Sequence, residues 1–330
     1  MKKKVFITGG AGLIGITLTK TLLSNNYSVT IYDLNEQLVR REKEILSIKE
    51  RYSSRFKYIS GTIMDKYAIT KNVKGADVVI HLAAMLGVKR TEENKLQCMD
   101  INVNGTEIIL NACLQNENTH FIFASSSEVY GEPIENPVSE TSITQGKTVY
   151  AISKLAAEEL VKGYAQLNDN LKFTIARFFN TYGEGQVAQF VLSKFVSRVI
   201  SGKSPQINGD GKQTRTYCNA LDTSDALISI IENKISYGKV YNIGNMNEKY
   251  DLINAANLII DTLAPNSKII PEFLEFENSD RSSSREIFHR TCNCELIMKE
   301  LNYLPKISLK EGIKLIAKKD IQSNWDDNKY

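Results

Sequence analysis

The stretch Thr8-Gly9-Gly10-Ala11-Gly12-Leu13-Ile14-Gly15 constrains this chain more than any other. It follows a short apolar run, Val5 to Thr8, and opens an amphipathic pattern from Leu13 to Leu23, so it reads as a strand-to-helix turn. Gly9 permits the tight turn, Gly12 removes a Cβ from the path of a phosphate, and Gly15 lets the helix lie close on the strand. A pyrophosphate fits the helix N-terminus, with Leu13 and Ile14 beside it. Asp33 ends the next strand, Ser28 to Asp33, as the last residue of Val29-Thr30-Ile31-Tyr32-Asp33. It is placed to accept hydrogen bonds from ribose hydroxyls and to repel a 2′-phosphate, which implies NAD rather than NADP. Arg40 and Arg41 lie about two helical turns farther on and read as solvent-facing.

The first half continues this alternation of β-branched runs and helical patterns. Strands are expected at Phe56 to Ser60, Asp77 to Leu82, His120 to Ser125 and Leu171 to Phe178, with helices at Leu38 to Arg51, Asp100 to Gln115 and Tyr150 to Leu167. Parallel strands need crossover helices of this kind. The expected fold class is α/β: a Rossmann-type doubly wound parallel sheet with a smaller C-terminal substrate lobe. Residues 1–182 form the NAD domain, with a returning element near 218–245 that includes a helix capped by Asp222 or Thr223. Residues 183–317 form mainly the second lobe, and 318–330 a polar tail.

Composition narrows the function classes. Of 330 residues, 42% are hydrophobic and 24% charged, and 41 Lys and Arg against 38 Asp and Glu leave a net charge of +3. A nucleic-acid binder would carry a concentrated basic footprint, so no such partner is expected. The apolar run after Met1-Lys2-Lys3-Lys4 is too short for a signal peptide. The stretch Ala76 to Gly87 carries Asp77 and His81 and is too short to span a bilayer. A cytoplasmic protein is expected. Five Cys, with Cys292-Asn293-Cys294 the only close pair, give no zinc spacing and read as buried thiols. His81, His120 and His289 form no metal or triad pattern, and structural roles are expected for them.

Tyr150 and Lys154 stand four residues apart at a helix start and so share a face. A phenol is a poor base at neutral pH, but a nearby Lys⁺ and a positive nicotinamide favour the phenolate. Tyr150 is therefore a candidate general base.

These features come with His81-Leu82-Ala83-Ala84, Asn102-Val103-Asn104-Gly105-Thr106, Ser125-Ser126-Ser127-Glu128-Val129-Tyr130-Gly131, Arg177-Phe178-Phe179-Asn180-Thr181-Tyr182-Gly183, Gly209 to Arg215 and Leu304 to Gly312. Taken together the chain resembles the extended short-chain dehydrogenases/reductases, and more narrowly the NAD-dependent epimerase/dehydratase family acting on nucleotide sugars. The resemblance implies that Ile63, Leu82, Ala83, Ala84, Asn102 and Ser125 border the cofactor and that Lys154 holds the nicotinamide ribose. It also implies that Asn180 and Arg215 meet the substrate's diphosphate, joined by a late arginine, Arg281 or Arg285. Thr62 stands where the family often has an Asp near the adenine. A homodimer is implied, built on the helices near Asp100 to Gln115 and Tyr150 to Leu167, with Val103, Ile108, Ile109 and Leu160 compatible.

All such enzymes first oxidise carbon 4 of the sugar, Tyr150 taking the hydroxyl proton. The Ser-Ser-Glu segment then suggests a 4,6-dehydratase, resembling the GDP-mannose dehydratase variant. Glu128 takes the carbon 5 proton, Ser127 helps the carbon 6 hydroxyl leave, and Ser126 bonds the oxygen on carbon 4. Ser126 and Glu128 share a face only on a continuing strand, so a turn must bring all three side chains to the sugar. A UDP-glucuronate decarboxylase or a 4-epimerase is the alternative, the former needing an arginine at the sugar carboxylate for which the sequence offers no clear candidate. A non-catalytic NAD-binding scaffold is the alternative of another class.

Overall fold

A computed structural model describes residues 2–186, 190–275 and 287–318. Its centre is a seven-stranded sheet, built from β1 (Lys4–Thr8), β2 (Ser28–Asp33), β3 (Phe56–Ser60), β4 (Val78–His81), β5 (His120–Ser126), β6 (Lys172–Phe178) and the strand Lys239–Ile243. The spatial order is Lys239–Ile243, β6, β5, β4, β1, β2, β3. Every pairing in this sheet is parallel.

The two faces follow from the two-residue period of a strand. In β1, Val5 and Ile7 enter one core and Phe6 the other; β4 divides Val78 and Ile80 from Val79, and β5 divides Ile122 from Phe121 and Phe123. A sheet buried on both faces needs such continuous apolar strands. A third core joins Leu192, Phe195, Ile207, Ile259, Leu309 and Ile313 beyond the sheet. The helix Ala220–Glu232 packs against the first helix, Leu13–Ser24, and so returns the chain to the sheet before Lys239–Ile243.

Strand order reverses between β1 and β4, and their last residues, Thr8 and His81, are register partners. Crevices at such switch points, outside the carboxyl ends of the strands, are where doubly wound sheets take ligands.

Several expected elements are redrawn. Leu38 to Arg51 is not one helix but two, Asn35–Arg40 and Glu42–Arg51, broken at Arg41. Arg41 is not solvent-facing: its guanidinium reaches Gly185 O at 2.6 Å and Glu44 at 3.0 Å. The helix expected from Asp100 begins with a π-helical turn, Asp100–Asn104, before Gly105–Cys113. The cap of Ala220–Glu232 is Asn219, whose side chain accepts from Leu221 N–H. Asp222 instead accepts from the N–H groups of Lys306 and Ile307, tying this helix to the C-terminal segment.

All five cysteines are buried free thiols. Among the described residues no helix is long and apolar enough to cross a membrane, and no group of three His, Cys, Asp or Glu could hold a metal ion.

Candidate active site

The glycine turn has the shape its composition suggests. Gly9 takes φ +68°, and a Cβ there would lie 2.6 Å from Ala83 N, so the turn and the loop after β4 touch backbone to backbone. A Cβ on Gly15 would meet Gly9 O at 2.5 Å. Gly12 is the N-cap of Leu13–Ser24 and brings no side chain to the N–H groups of the first turn, which leaves that turn for an anion. Asp33 stands beside it, accepting from Ala11 N–H at 2.9 Å and Leu34 N–H at 2.8 Å. Burial raises its pKa, and those two N–H groups with Arg40 pull it back. This cradle, which side chains would fill, fits a dinucleotide.

A directed chain of hydrogen bonds crosses the switch point. The Thr106 hydroxyl donates to Asn102 O at 2.6 Å, so the His81 Nε2–H must donate to Thr106, 3.1 Å away. His81 Nδ1 is then the acceptor for the Thr8 hydroxyl at 2.7 Å, and Thr8 accepts from Ala83 N–H at 3.4 Å. Burial depresses the imidazole pKa to about 3, so it is neutral. His81 thus has the structural role expected of it.

Asn102 is 1% exposed, and its amide is fully engaged. It accepts from Met85 N–H and donates to Met85 O and to Ser153 Oγ, so it ties the loop after β4 to the helix that carries Tyr150. Leu82, Ala83 and Ala84 are half-buried in that loop, while Ile63 is buried against Gly105. Ser125 turns inward, its hydroxyl donating to Glu158.

Tyr150 and Lys154 sit in the first turns of the helix Val149–Leu167. Lys154 is 2% exposed, donates to Ala124 O at 2.8 Å, and lies 4.8 Å from the Phe123 ring centre and 5.9 Å from that of Tyr150. Burial lowers its pKa to about 8, with Cys98 and Glu158 acting the other way. Tyr150 is raised by burial and by the Glu128 charge, against the Ser126 hydroxyl and the Arg290 cation. Glu128 is held at the start of this helix, where the Thr148 hydroxyl, two residues before Tyr150, donates to it at 3.4 Å.

The turn required by the Ser-Ser-Glu segment is present: β5 ends at Ser126 and a 3₁₀ turn, Ser127–Tyr130, begins at once. Ser126 caps it, accepting from Glu128 N–H at 3.2 Å. Ser127 is buried and Glu128 half-buried.

The expected diphosphate residues are less open than the sequence suggests. Asn180 has φ +36° and spends its amide on Thr216 O at 2.9 Å. Arg215 is 9% exposed and donates to the carbonyls of Thr214, Ile287 and Phe288. Arg281 and Arg285 lie outside the described residues. The sequence reading passed over Arg290, which pairs in register with Arg215 on neighbouring strands and is 5% exposed. Nothing in Arg290-Thr291-Cys292-Asn293 itself marks it; the pairing with Arg215 does.

Comparison with known proteins identifies relatives along the whole chain. The chain is 34% identical over 324 residues to the UDP-N-acetyl-alpha-D-glucosaminuronate decarboxylase of Bacillus cytotoxicus, covering 95% of this chain and 96% of the relative. It is 30% identical to human dTDP-D-glucose 4,6-dehydratase, covering 94% and 88%. The crystal structure of UDP-glucuronic acid 4-epimerase from Bacillus cereus, in complex with UDP-glucuronic acid and NAD, superposes with a TM-score of 0.84 at 27% identity, covering 96% of this chain and 98% of that one. Residues 5–244 match the model of the NAD dependent epimerase/dehydratase family. With the glycine cradle at the switch point and Tyr150 and Lys154 beside it, this chain belongs to the NAD-dependent epimerase/dehydratase family.

Proposed function

We propose that this chain is a nucleotide-sugar 4,6-dehydratase, converting a nucleotide-diphosphate hexose to its 4-keto-6-deoxy form. The observation that carries the reading is the turn that holds Glu128 beside Ser126 and ties it, through the Thr148 hydroxyl, to the start of the Tyr150 helix. Bound NAD supplies the oxidant at carbon 4 and the reductant at carbon 6. Tyr150 takes the carbon 4 hydroxyl proton, the Ser126 hydroxyl and the Arg290 cation opposing the upward pull of burial and Glu128 on its phenol, and Ser126 bonds the same oxygen. The ketone acidifies carbon 5, whose proton Glu128 removes; Ser127 hands its proton to the departing carbon 6 hydroxyl, which leaves as water, and regains one from solvent, while Glu128 returns its proton to carbon 5 as carbon 6 is reduced and Tyr150 releases the carbon 4 proton to solvent. Arg215 and Arg290, paired in register, suit two negative phosphates; Asn180 supports them through Thr216.

A second reading is decarboxylation of a nucleotide hexuronate through the same ketone. Arg290, near enough to Tyr150 to influence it, is the cation a sugar carboxylate would require, and the Bacillus cytotoxicus relative carries a decarboxylase name. Mass spectrometry of products from GDP-, dTDP- and UDP-linked hexoses and hexuronates separates the two: loss of water supports dehydration, and loss of carbon dioxide overturns it in favour of the second reading. Unchanged sugars with every substrate overturn both.

The chain is further proposed to work as a homodimer through the helix Val149–Leu167 and the helical run Asp100–Cys113. Ile109 is fully enclosed in its own core and Ile108 nearly so, which leaves the half-buried Val103 and Leu160 and the exposed Ile152 for the contact. Sedimentation equilibrium yielding a monomer would overturn this.

A further inference from the structure

Beneath the reacting groups lies a buried ionic network that the proposed chemistry does not use. Glu158, 1% exposed, accepts from Arg177 through both oxygens, Nε to Oε1 at 3.0 Å and Nη2 to Oε2 at 2.7 Å. The Ser125 hydroxyl donates to the same carboxylate. Arg177 Nη1 continues to the Tyr130 hydroxyl at 2.9 Å, and Tyr130 donates to Asn242 Oδ1 at 2.6 Å. Asn242 Nδ2 ends the chain on the carbonyls of Val138 and Asn293, each at 3.1 Å.

Each member neighbours a reacting segment. Ser125 precedes Ser126, Tyr130 closes the turn that holds Ser127 and Glu128, Glu158 stands one helical turn after Lys154, and Asn293 lies three residues beyond Arg290. A buried ion pair is weak evidence for stability, because desolvation opposes the attraction. It does fix geometry, since bidentate pairing tolerates little displacement.

We propose that the Glu158–Arg177 pair is a positioning element, holding Lys154, the Ser126–Glu128 turn and the Arg290 strand in one frame without contacting substrate or cofactor. The inference rests on the reading of Tyr150, Lys154 and Glu128 as the reacting groups. Glu158 also supplies negative charge to Lys154, which is otherwise faced by Tyr150 from its own helix, the neutral His81 of β4, the Cys98 thiol, and the Phe123 ring and Ala124 carbonyl of β5.

The test compares Glu158→Gln with the double variant Glu158→Gln/Arg177→Met. Glu158→Gln leaves a buried unpaired guanidinium and lowers both the thermal midpoint and kcat. The double variant removes both charges of the pair and leaves Glu140 held by the Asn242 N–H, so it regains most of the midpoint. Its kcat stays about 10–100-fold below wild type, with KM within about threefold, because the reacting groups remain out of register. Recovery of kcat together with the midpoint overturns the proposal and makes the pair merely structural.

A second readout needs no turnover. In protein labelled with ¹³Cε-lysine, the Lys154 signal is assigned by its loss in Lys154→Met. Its titration midpoint moves to lower pH in the double variant, and an unmoved midpoint overturns the proposal. If wild type converts no sugar in the panel, the functional reading fails and the lysine titration alone decides this inference.

Discussion

One hydroxyl, that of Thr148, joins the start of the Tyr150 helix to Glu128: it accepts from Ala151 N–H at 3.1 Å and donates to Glu128 Oε2 at 3.4 Å. The helix cap is thereby also the tether of the proposed carbon 5 base, so the local signal that begins the helix also helps set the geometry of the site.

Thr148→Val should remove both contacts. Loss of the cap costs about 1 kcal/mol, read as a lower urea midpoint, and the untethered Glu128 lowers kcat. Thr148→Ser keeps the hydroxyl and should restore both. A valine variant with wild-type kcat would show that the tether has no part in catalysis.

Glu128→Gln should abolish elimination while oxidation at carbon 4 survives. Stopped-flow absorbance would then record NADH that forms and persists, with no deoxy product by mass spectrometry. Product formed at the wild-type rate would remove Glu128 from the proposed role.

Two glycine substitutions should act in opposite directions. Gly9→Ala forces a side chain into left-handed backbone and onto Ala83; the backbone strain alone costs about 1–3 kcal/mol, and calorimetry should show NAD binding lost. Gly163, inside the Val149–Leu167 helix, meets nothing within 4 Å. Gly163→Ala should therefore stabilise by about 0.5–1 kcal/mol.

Stability should fall as pH drops on the acid side and rise on the alkaline side, for separable reasons. Burial holds His81 and His120 near a pKa of about 3, against 6.5 unfolded. Between those values the unfolded chain binds more protons, so stability drops as pH falls through that window. His120→Gln should flatten part of the slope in urea titrations. Lys154 is depressed to about 8 from 10.5, so its cost is present below pH 8 and is relieved as pH rises toward 10.5. Lys154→Met should remove that rise.

The central sheet was legible because its signals are local: β2 and β3 run over the expected residues, and the glycine turn sits where strand and helix patterns meet. What was not legible depends on distant partners. Nothing near Arg41 announces that its guanidinium will be taken up by Gly185 O, and Asp222 looks like a cap until Lys306 and Ile307 arrive from the far end of the chain. Arg290 comes beside Arg215 only through strand pairing. Tyr150, Lys154 and the Ser126–Glu128 turn were readable as motifs, whereas the Glu158–Arg177 pair beneath them joins a helix to a strand and leaves no spacing to read.

The hydroxyl–imidazole–hydroxyl chain through Thr8, His81 and Thr106 has every proton assigned by its ends, a backbone N–H at Ala83 and a backbone carbonyl at Asn102. A row of donors with one permitted direction resists shear, because sliding either neighbour would strand a buried polar atom. The two mononucleotide halves of the sheet are thus riveted where they diverge, and the width of the cofactor's berth is set before the cofactor arrives.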